Sequence, residues 1–301
     1  MKIILKILFV ILILTGEVYL EPQGTKSRND NLKDQLEQTI KECKGIFSIA
    51  FREIGNSSNE LIINGDEIFH AASTMKTPVM VEVFRQASLG KFSMNDSIVV
   101  KNEFKSIVDG SPYSLDVEDD GDDKIYSQIG QKRRIYDLVY DMITVSSNLA
   151  TNLLIELVSP EAVTQTMNNF GLNNIKVLRG VEDSKAFNLG LNNTVNAVDL
   201  MKLYELIASK RILSEKDCDE IIKILEAQKF NDKIPKYLPG NVKVAHKTGS
   251  ISGVEHDSGI VFLPDGRKYV LVVLSKGLEN SEKGKEAIGK ISKLIYDFMM
   301  S

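Results

Sequence analysis

A serine and a lysine three residues apart could supply a nucleophile and its base. In Ser73-Thr-Met-Lys76 the pair stands just ahead of an apolar run, and the two side chains share one face if the segment opens a helix. A lysine can take the proton of a serine only where burial and nearby positive charge lower its pKa. Ser88 and Lys91 repeat the spacing, but they lie in a Gly-containing turn. We therefore predict Ser73 as nucleophile and Lys76 as base; the alternative is a hydroxyl that only starts a helix.

A second cation would lower the pKa of that lysine, and the chain offers one in Lys247-Thr-Gly249, its only Lys-Thr-Gly. The motif lies at the end of a predicted strand. Its glycine would let substrate backbone approach the strand edge. The alternative is an ordinary edge strand that runs into a turn.

A third polar group, Ser146-Ser-Asn148, interrupts an apolar helical pattern. Polar side chains at such a place weaken the core unless they face a cleft. A helix N-cap at Ser146 or Ser147 explains the group equally simply, and it is compatible with a place at a cleft.

The elements that must position these motifs come from both ends of the chain. Apolar periodicity predicts a helix over 30–44 and another at the C-terminus. Alternating segments predict five strands, at 46–54, 60–65, 242–249, 257–264 and 268–275.

We predict an α/β (α+β) fold in which these strands form one five-stranded antiparallel sheet, its faces covered by the N- and C-terminal helices. Residues 28–70 and 236–301 would make up this α/β lobe. Capped helices, such as the one opening at Ser159-Pro160, predict an inserted all-helical lobe over 71–235. A cleft is expected where the lobes meet.

In this order the three motifs resemble the signature of class A β-lactamases and penicillin-binding proteins, over most of residues 28–300. The resemblance implies a serine hydrolase that opens a β-lactam through an acyl-enzyme on Ser73. Lys76, or Glu182 acting through a water, would take the serine proton, and Ser146 would relay it to the leaving nitrogen. The implied binding residues are Asn148 for the side-chain amide, Lys247, Thr248, Gly249 and Ser250 at the substrate carboxylate, and the backbone N–H groups of Ser73 and Ser250 for the oxyanion.

A glutamate that hydrolyses the acyl-enzyme separates class A enzymes from slow-releasing penicillin-binding proteins. Glu182 is the candidate, on a loop that Arg179 could anchor by pairing with Asp183. The resemblance is imperfect here, because Ala186 stands where the family places an asparagine and Asn188 comes two positions late. A D-alanyl-D-alanine carboxypeptidase or an esterase on the same scaffold therefore remains an alternative, as does a non-catalytic cell-wall binding protein.

Other classes of site and partner have little support. The three histidines form no His-Glu-x-x-His or Cys-containing cluster, so no metal or cofactor is expected. A Ser-His-Asp triad with His256 and Asp257 is disfavoured, because neighbours in a strand point to opposite faces. A net charge of −4 over 301 residues gives no basic stripe for nucleic acid. The expected partner is a small β-lactam and the expected state a monomer.

Residues 1–20 carry Lys2 and Lys6 before the apolar run Ile7 to Leu14, which is typical of a secretory signal. We expect a periplasmic or secreted protein without a stable membrane partner, unless the signal stays uncleaved as an anchor. Cys43 and Cys218 are interpreted as two buried thiols. The acidic segment 115–126 departs from a calcium loop at positions three and twelve, so we interpret it as a solvated loop.

Overall fold

The computed structural model describes residues 27–301, so the predicted signal over 1–20 lies outside the described part of the chain. The helices are α1 (Arg28–Lys41), α2 (Lys76–Ser88), α3 (Ile135–Thr144), α4 (Asn148–Val158), α5 (Pro160–Asn169), α6 (Ser184–Asn188), α7 (Ala197–Ala208), α8 (Glu215–Glu226) and α9 (Ser281–Met300). The strands are β1 (Ile46–Glu53), β2 (Asn56–Ile63), β3 (Phe69–His70), β4 (Ser97–Val99), β5 (Phe104–Lys105), β6 (Pro112–Tyr113), β7 (Lys132–Arg134), β8 (Thr194–Val195), β9 (Lys243–Ile251), β10 (Val254–Phe262) and β11 (Lys268–Lys276).

The five long strands form the predicted sheet in the order β2-β1-β11-β10-β9, with antiparallel neighbours. Strands from the two ends of the chain therefore meet at β1 and β11. This order leaves β9, which carries the Lys-Thr-Gly motif, as an edge strand beside the inserted lobe. The predicted five-stranded fold is confirmed.

The two faces of the sheet bury different cores. Along β11, Tyr269, Leu271 and Val273 face one way and pack with apolar residues of α1 and α9. The alternate residues, Val270, Val272 and Leu274, face the core of the inserted lobe. This alternation follows from the two-residue period of a strand. The prediction that the terminal helices cover both faces is wrong: α1 and α9 share one face, and α7 packs against the other.

The inserted lobe is mostly rather than entirely helical. Three short antiparallel pairs, β3 with β8, β4 with β7 and β5 with β6, belong to it or join it to the sheet. Strands of two or three residues are too short for alternation to show in the sequence, which explains why they were not predicted. The second strand, predicted over 60–65, begins earlier in the structure, because β2 already starts at Asn56.

Both cysteines are free thiols. Cys218 is buried as predicted, whereas Cys43 lies just beyond the end of α1, is half-buried and donates to the Lys283 carbonyl.

Candidate active site

The nucleophile candidate lies in a tight turn that leads into α2. Ser73 belongs to a 3₁₀ turn, Ala72–Met75, and Lys76 is the first residue of the helix. Residues three apart eclipse in a 3₁₀ turn, so both side chains project to the same side. Ala72 has a φ of 44°, a conformation that is costly for a residue with a Cβ and is found mainly where surrounding structure imposes it.

Strand β9 packs edge-on against this turn, and Gly249 makes the approach possible. A Cβ at this position would lie 3.1 Å from the Ser73 backbone nitrogen and 3.2 Å from Ala72 Cβ. We expected this glycine to make room for substrate backbone. The structure assigns the space to the nucleophile's own turn.

The Lys76 amine is fully buried and uses its three donors on residues of the second motif. Its Nζ donates to the Ser146 carbonyl at 2.7 Å, to Ser146 Oγ at 3.1 Å and to Asn148 Oδ1 at 2.8 Å. Ser146 has a positive φ of 59°, which is uncommon for a residue other than glycine. The next residue, Ser147, is the N-cap of α4. The predicted cap and the predicted place at a cleft are therefore both present.

The Lys247 amine and the Lys76 amine both contact the Ser146 hydroxyl, rather than Ser73. Lys247 Nζ donates to Ser146 Oγ at 3.0 Å and to the Thr248 carbonyl at 2.9 Å. Ser146 Oγ thus accepts from two lysines that are distant in sequence. With both lone pairs occupied, its own hydrogen is left to point elsewhere, as a proton donor to a substrate requires.

Burial makes these amines poor cations. It lowers the pKa of Lys76 to about 7, against the opposing effect of the Asp120 and Glu182 carboxylates. Burial likewise lowers the pKa of Lys247, and the charges of Lys76 and Lys233 lower it further. The pKa of Lys76 is lowered as predicted, but desolvation alone lowers it. The expectation that the Lys247 charge would do so is wrong, because the charge of Lys76 instead lowers the pKa of Lys247.

The Glu182 carboxylate faces the same network. Asn148 Nδ2 donates to Glu182 Oε1 at 2.7 Å, and a backbone hydrogen bond comes from Asp116. Burial raises the pKa of Glu182, and its φ of 62° marks a strained position. The Glu182 side chain is therefore held in the site by hydrogen bonds and is not simply a solvated carboxylate on a loop.

The loop that carries Glu182 is anchored differently from the prediction. Arg179 donates to three uncharged oxygens, of Leu191, Gly180 and Asn192, instead of pairing with Asp183. Asp183 accepts from the Ser106 hydroxyl and from backbone N–H groups. A side chain at the start of a loop can bond to carbonyls that no sequence pattern marks, so the ion pair was the wrong inference.

The acidic segment also has a structural role. Asp120 accepts from the backbone N–H groups of Asn148 and Leu149, each at 2.8 Å, and so binds the N-terminus of α4. Most residues of 115–126 are exposed, as predicted for a solvated loop, but that interpretation missed the Asp120 carboxylate, which closes the edge of the site. Local sequence could not show it, since the two partners lie 28 and 29 residues away.

Lys233 is a further residue that the sequence did not indicate. Its buried Nζ donates to Ser250 Oγ at 2.9 Å and lies 2.6 Å from Glu255 Oε2. Ser250 Oγ donates in turn to the same carboxylate at 2.7 Å. The hydroxyl predicted to bind a substrate carboxylate is thus backed by a compensated buried ion pair. Lys233 belongs to no motif, and only the distant Glu255 would have hinted at its burial.

The histidines do not form a hydrolase triad. His246 Nδ1 lies 2.9 Å from Asp257 Oδ1, and its Nε2 faces Asn231 Oδ1 rather than a serine. His256 Nε2 lies 2.9 Å from the His70 carbonyl. The disfavoured pairing of His256 with Asp257 is absent.

Two cavities meet at the nucleophile. One of about 310 Å³ is lined by Ser146, Thr248 and Lys233, and the other, of about 290 Å³, is lined by Glu182, Val181 and Ile251. Ser73, Asn148 and Ser250 line both. A ligand whose reactive carbonyl reaches Ser73 would therefore extend one arm towards the lysines and another along the Glu182 loop.

Within residues 27–301 no cluster of three or more His, Cys, Asp or Glu side chains could hold a metal ion. The same part of the chain has no helix long and apolar enough to span a bilayer.

A family model described as the beta-lactamase enzyme family matches residues 31–299. The chain belongs to this family. Beta-lactamase VEB-1 of Pseudomonas aeruginosa is 24% identical over 313 residues that cover 100% of both chains.

Solved structures of family members share the fold. The beta-lactamase from Sphaerobacter thermophilus is 25% identical, with a TM-score of 0.76 over 90% of this chain and 97% of that one. A mutant of PBP-A, in an acyl-enzyme complex with penicillin G, is 26% identical, with a TM-score of 0.77 over the same shares. The family resemblance inferred from the three motifs is confirmed.

Proposed function

We propose that this beta-lactamase family member is a serine β-lactamase that acylates Ser73 and releases the product by hydrolysis. The observation that carries the proposal is the meeting of two buried amines at Ser146 Oγ, in a cleft that also holds Ser73 and the Glu182 carboxylate. This arrangement supplies a nucleophile, a base and a proton donor around a single carbonyl.

In acylation, Ser73 Oγ attacks the lactam carbonyl while Lys76, or Glu182 through a water, takes its proton. The backbone N–H groups of Ser73 and Ser250 hold the developing oxyanion. The bond between the carbonyl carbon and the ring nitrogen breaks, and Ser146 supplies the proton that this nitrogen needs. The short contact between Lys76 and Ser146 Oγ supports such a relay.

In deacylation, Glu182 takes a proton from a water that attacks the ester carbonyl, and the carboxylate needs to be ionised to do so. Asn148 holds Glu182 through Nδ2 and Lys76 through Oδ1. We infer that Asn148 also binds the substrate's side-chain amide, and that one of these internal bonds opens when it does so.

Lys247, Thr248 and Ser250, with Gly249 between them, would bind the substrate carboxylate. Charge supports this role, because Lys247 and Lys233 both lie behind this wall of the cleft. Burial, and then the charges of Lys76 and Lys233, lower the pKa of Lys247, and a bound anion would favour the protonated amine.

Slow release, as in a penicillin-binding carboxypeptidase, is the second candidate. Ala186 is buried and spends its N–H on Asp183, so it cannot hold a hydrolytic water with a side-chain amide. The acyl-enzyme of PBP-A shows that a similar fold can retain penicillin G.

Turnover of a chromogenic cephalosporin tests the first proposal. The wild-type protein should hydrolyse it over many cycles, and Ser73→Ala should reduce the rate to background because no acyl-enzyme can form. Wild-type turnover by Ser73→Ala would refute the nucleophile assignment. Release of D-alanine from a peptide ending in D-alanyl-D-alanine, without lactam turnover, would select the second candidate.

We also infer that the protein is exported to the periplasm or secreted as a monomer. The lysines and apolar run of residues 1–20 support export. Fractionation of producing cells, with N-terminal sequencing of the exported form and its mass in solution, tests this inference. A product that stays at full length in the membrane fraction would support the uncleaved anchor.

A further inference from the structure

The turn before Ser73 is held by hydrogen bonds that the proposed chemistry does not use. Three backbone N–H groups around the nucleophile have acceptors within the protein. Ala71 donates to the Asn193 carbonyl at 2.8 Å, Ala72 to His70 Nδ1 at 3.0 Å and Thr74 to the Ala71 carbonyl at 3.1 Å. The peptide planes on either side of the Ser73 N–H are therefore fixed.

Of these acceptors only His70 Nδ1 belongs to a side chain, and it serves the residue with the strained backbone. Ala72 adopts its positive φ directly before the nucleophile, and such a conformation persists only where contacts impose it. The acceptor must be a neutral imidazole, because a protonated ring has donors at both nitrogens.

His256 holds the backbone of His70, whose side chain holds the Ala72 N–H. The His70 carbonyl can only accept, so His256 Nε2, at 2.9 Å, carries the hydrogen. Its Nδ1 lies 3.1 Å from the Ser275 nitrogen and 3.0 Å from the Glu255 carbonyl oxygen. His256 is fully buried on β10. Strand β10 thus fixes the His70 backbone through His256, and the His70 side chain fixes the turn through the Ala72 N–H.

We propose that His70 is a positioning residue for the oxyanion hole, whose Nδ1 holds the Ala72 N–H so that the Ser73 N–H points at the reacting carbonyl oxygen. This inference rests on the proposed function, since it needs acyl transfer at Ser73. It also assigns a role to His70 that differs from those of the lysines and Glu182, which move protons.

Replacement of His70 by leucine and by asparagine separates this role from simple packing. Asparagine carries Oδ1 at the place of Nδ1 and keeps an acceptor, whereas leucine fills space without one. The measurement is the single-turnover rate of acylation by benzylpenicillin at neutral pH, followed by intact mass. We expect His70→Leu to lose about 10- to 100-fold, as a small misplacement of catalytic groups costs, and His70→Asn to retain most of the rate.

The pH dependence provides a second readout that needs only the wild type and His70→Asn. Burial and the nearby Arg179 charge lower the pKa of His70 from its ordinary 6.5. The other titratable groups are Glu182 and Asp183, which line the same cavity as His70, and His256 on β10, which contacts the His70 carbonyl; both proteins contain them. As the pH falls through the pKa of His70, which lies below 6.5, the wild type should lose acylation more steeply than His70→Asn, because only its acceptor becomes protonated.

The outcomes are distinct. Wild-type acylation by a folded His70→Leu, an equal loss in His70→Asn, or a constant ratio of the two rates across pH would overturn this inference while lactam turnover by the wild type stood. No acylation of the wild type would overturn both this inference and the proposed function. Acylation without turnover would overturn only the hydrolytic step.

Discussion

At the scale of single residues, the site is organised around Ser146. Both buried amines donate to its hydroxyl, and none of the three Lys76 hydrogen bonds reaches Ser73. If Lys76 takes the proton of Ser73, two further transfers supply the leaving nitrogen: one from Lys76 to Ser146 Oγ, and one from Ser146 to the nitrogen. Catalytic hydrogen bonds often tighten only when substrate binds, so the arrangement remains consistent with Lys76 as the base.

The pKa of about 7 at Lys76 makes the role of this lysine testable. Below pH 7 the amine is protonated and cannot accept, so the acylation rate should rise with pH and level off above 7. Lys76→Arg keeps the charge but cannot lose a proton, and we expect it to lower the rate about 10² to 10⁴-fold. Stopped-flow acylation from pH 5 to 9 measures this. Wild-type acylation by Lys76→Arg would transfer the base role to Glu182 and its water.

At the scale of elements, the contact between β9 and the nucleophile turn joins the first motif to the third. Strand periodicity predicted β9, and helix capping predicted a helix start at Ser146 or Ser147, where the structure has Ser147 as the N-cap of α4. The residues that complete the site, Asp120 and Lys233, could not be predicted, because their partners are distant in sequence and belong to no pattern. The three motifs were recognisable because each combines chemistry with a local element.

Gly249→Ala tests the contact between the two elements. The added methyl would press on the Ser73 nitrogen and on Ala72, so the turn should shift and acylation should fall at least about tenfold. Overpacking should also cost about 1–3 kcal/mol of unfolding free energy. Gly240→Ala is the matched control, since a Cβ there meets nothing within 4 Å. Acylation at the wild-type rate in Gly249→Ala would show that the turn tolerates the displacement.

At the scale of the whole molecule, one sheet separates two cores and bears the site at its edge. The order of elements allowed the sheet and the inserted lobe to be predicted. The sequence could not predict on which face of the sheet α1 and α9 lie, because strands such as β11 present apolar residues on both faces. The fully buried His256 lies where the sheet meets the nucleophile turn, so its protonation bears on the stability of the molecule.

Acid should destabilise the fold through this histidine. Burial lowers the pKa of His256 from 6.5 to about 4, so between these values the unfolded chain binds a proton that the folded chain does not. The stabilisation is complete above pH 6.5 and is lost as the pH falls towards 4, by about 3 kcal/mol in all. His256→Gln keeps a donor without titrating, so its denaturant-unfolding free energy should depend less on pH over this range. Equal slopes for both proteins would contradict the prediction.

The central claim is that Ser73 forms an ester which Glu182 helps to hydrolyse. The most direct measurement is an intact-mass time course with benzylpenicillin for the wild type and Glu182→Gln, with the modified peptide identified by fragmentation. We predict that the wild type returns to its free mass as penicillin is consumed. Glu182→Gln should accumulate an adduct on Ser73 whose mass equals that of one intact benzylpenicillin. An adduct on another residue, or release by Glu182→Gln as fast as by the wild type, would contradict the account.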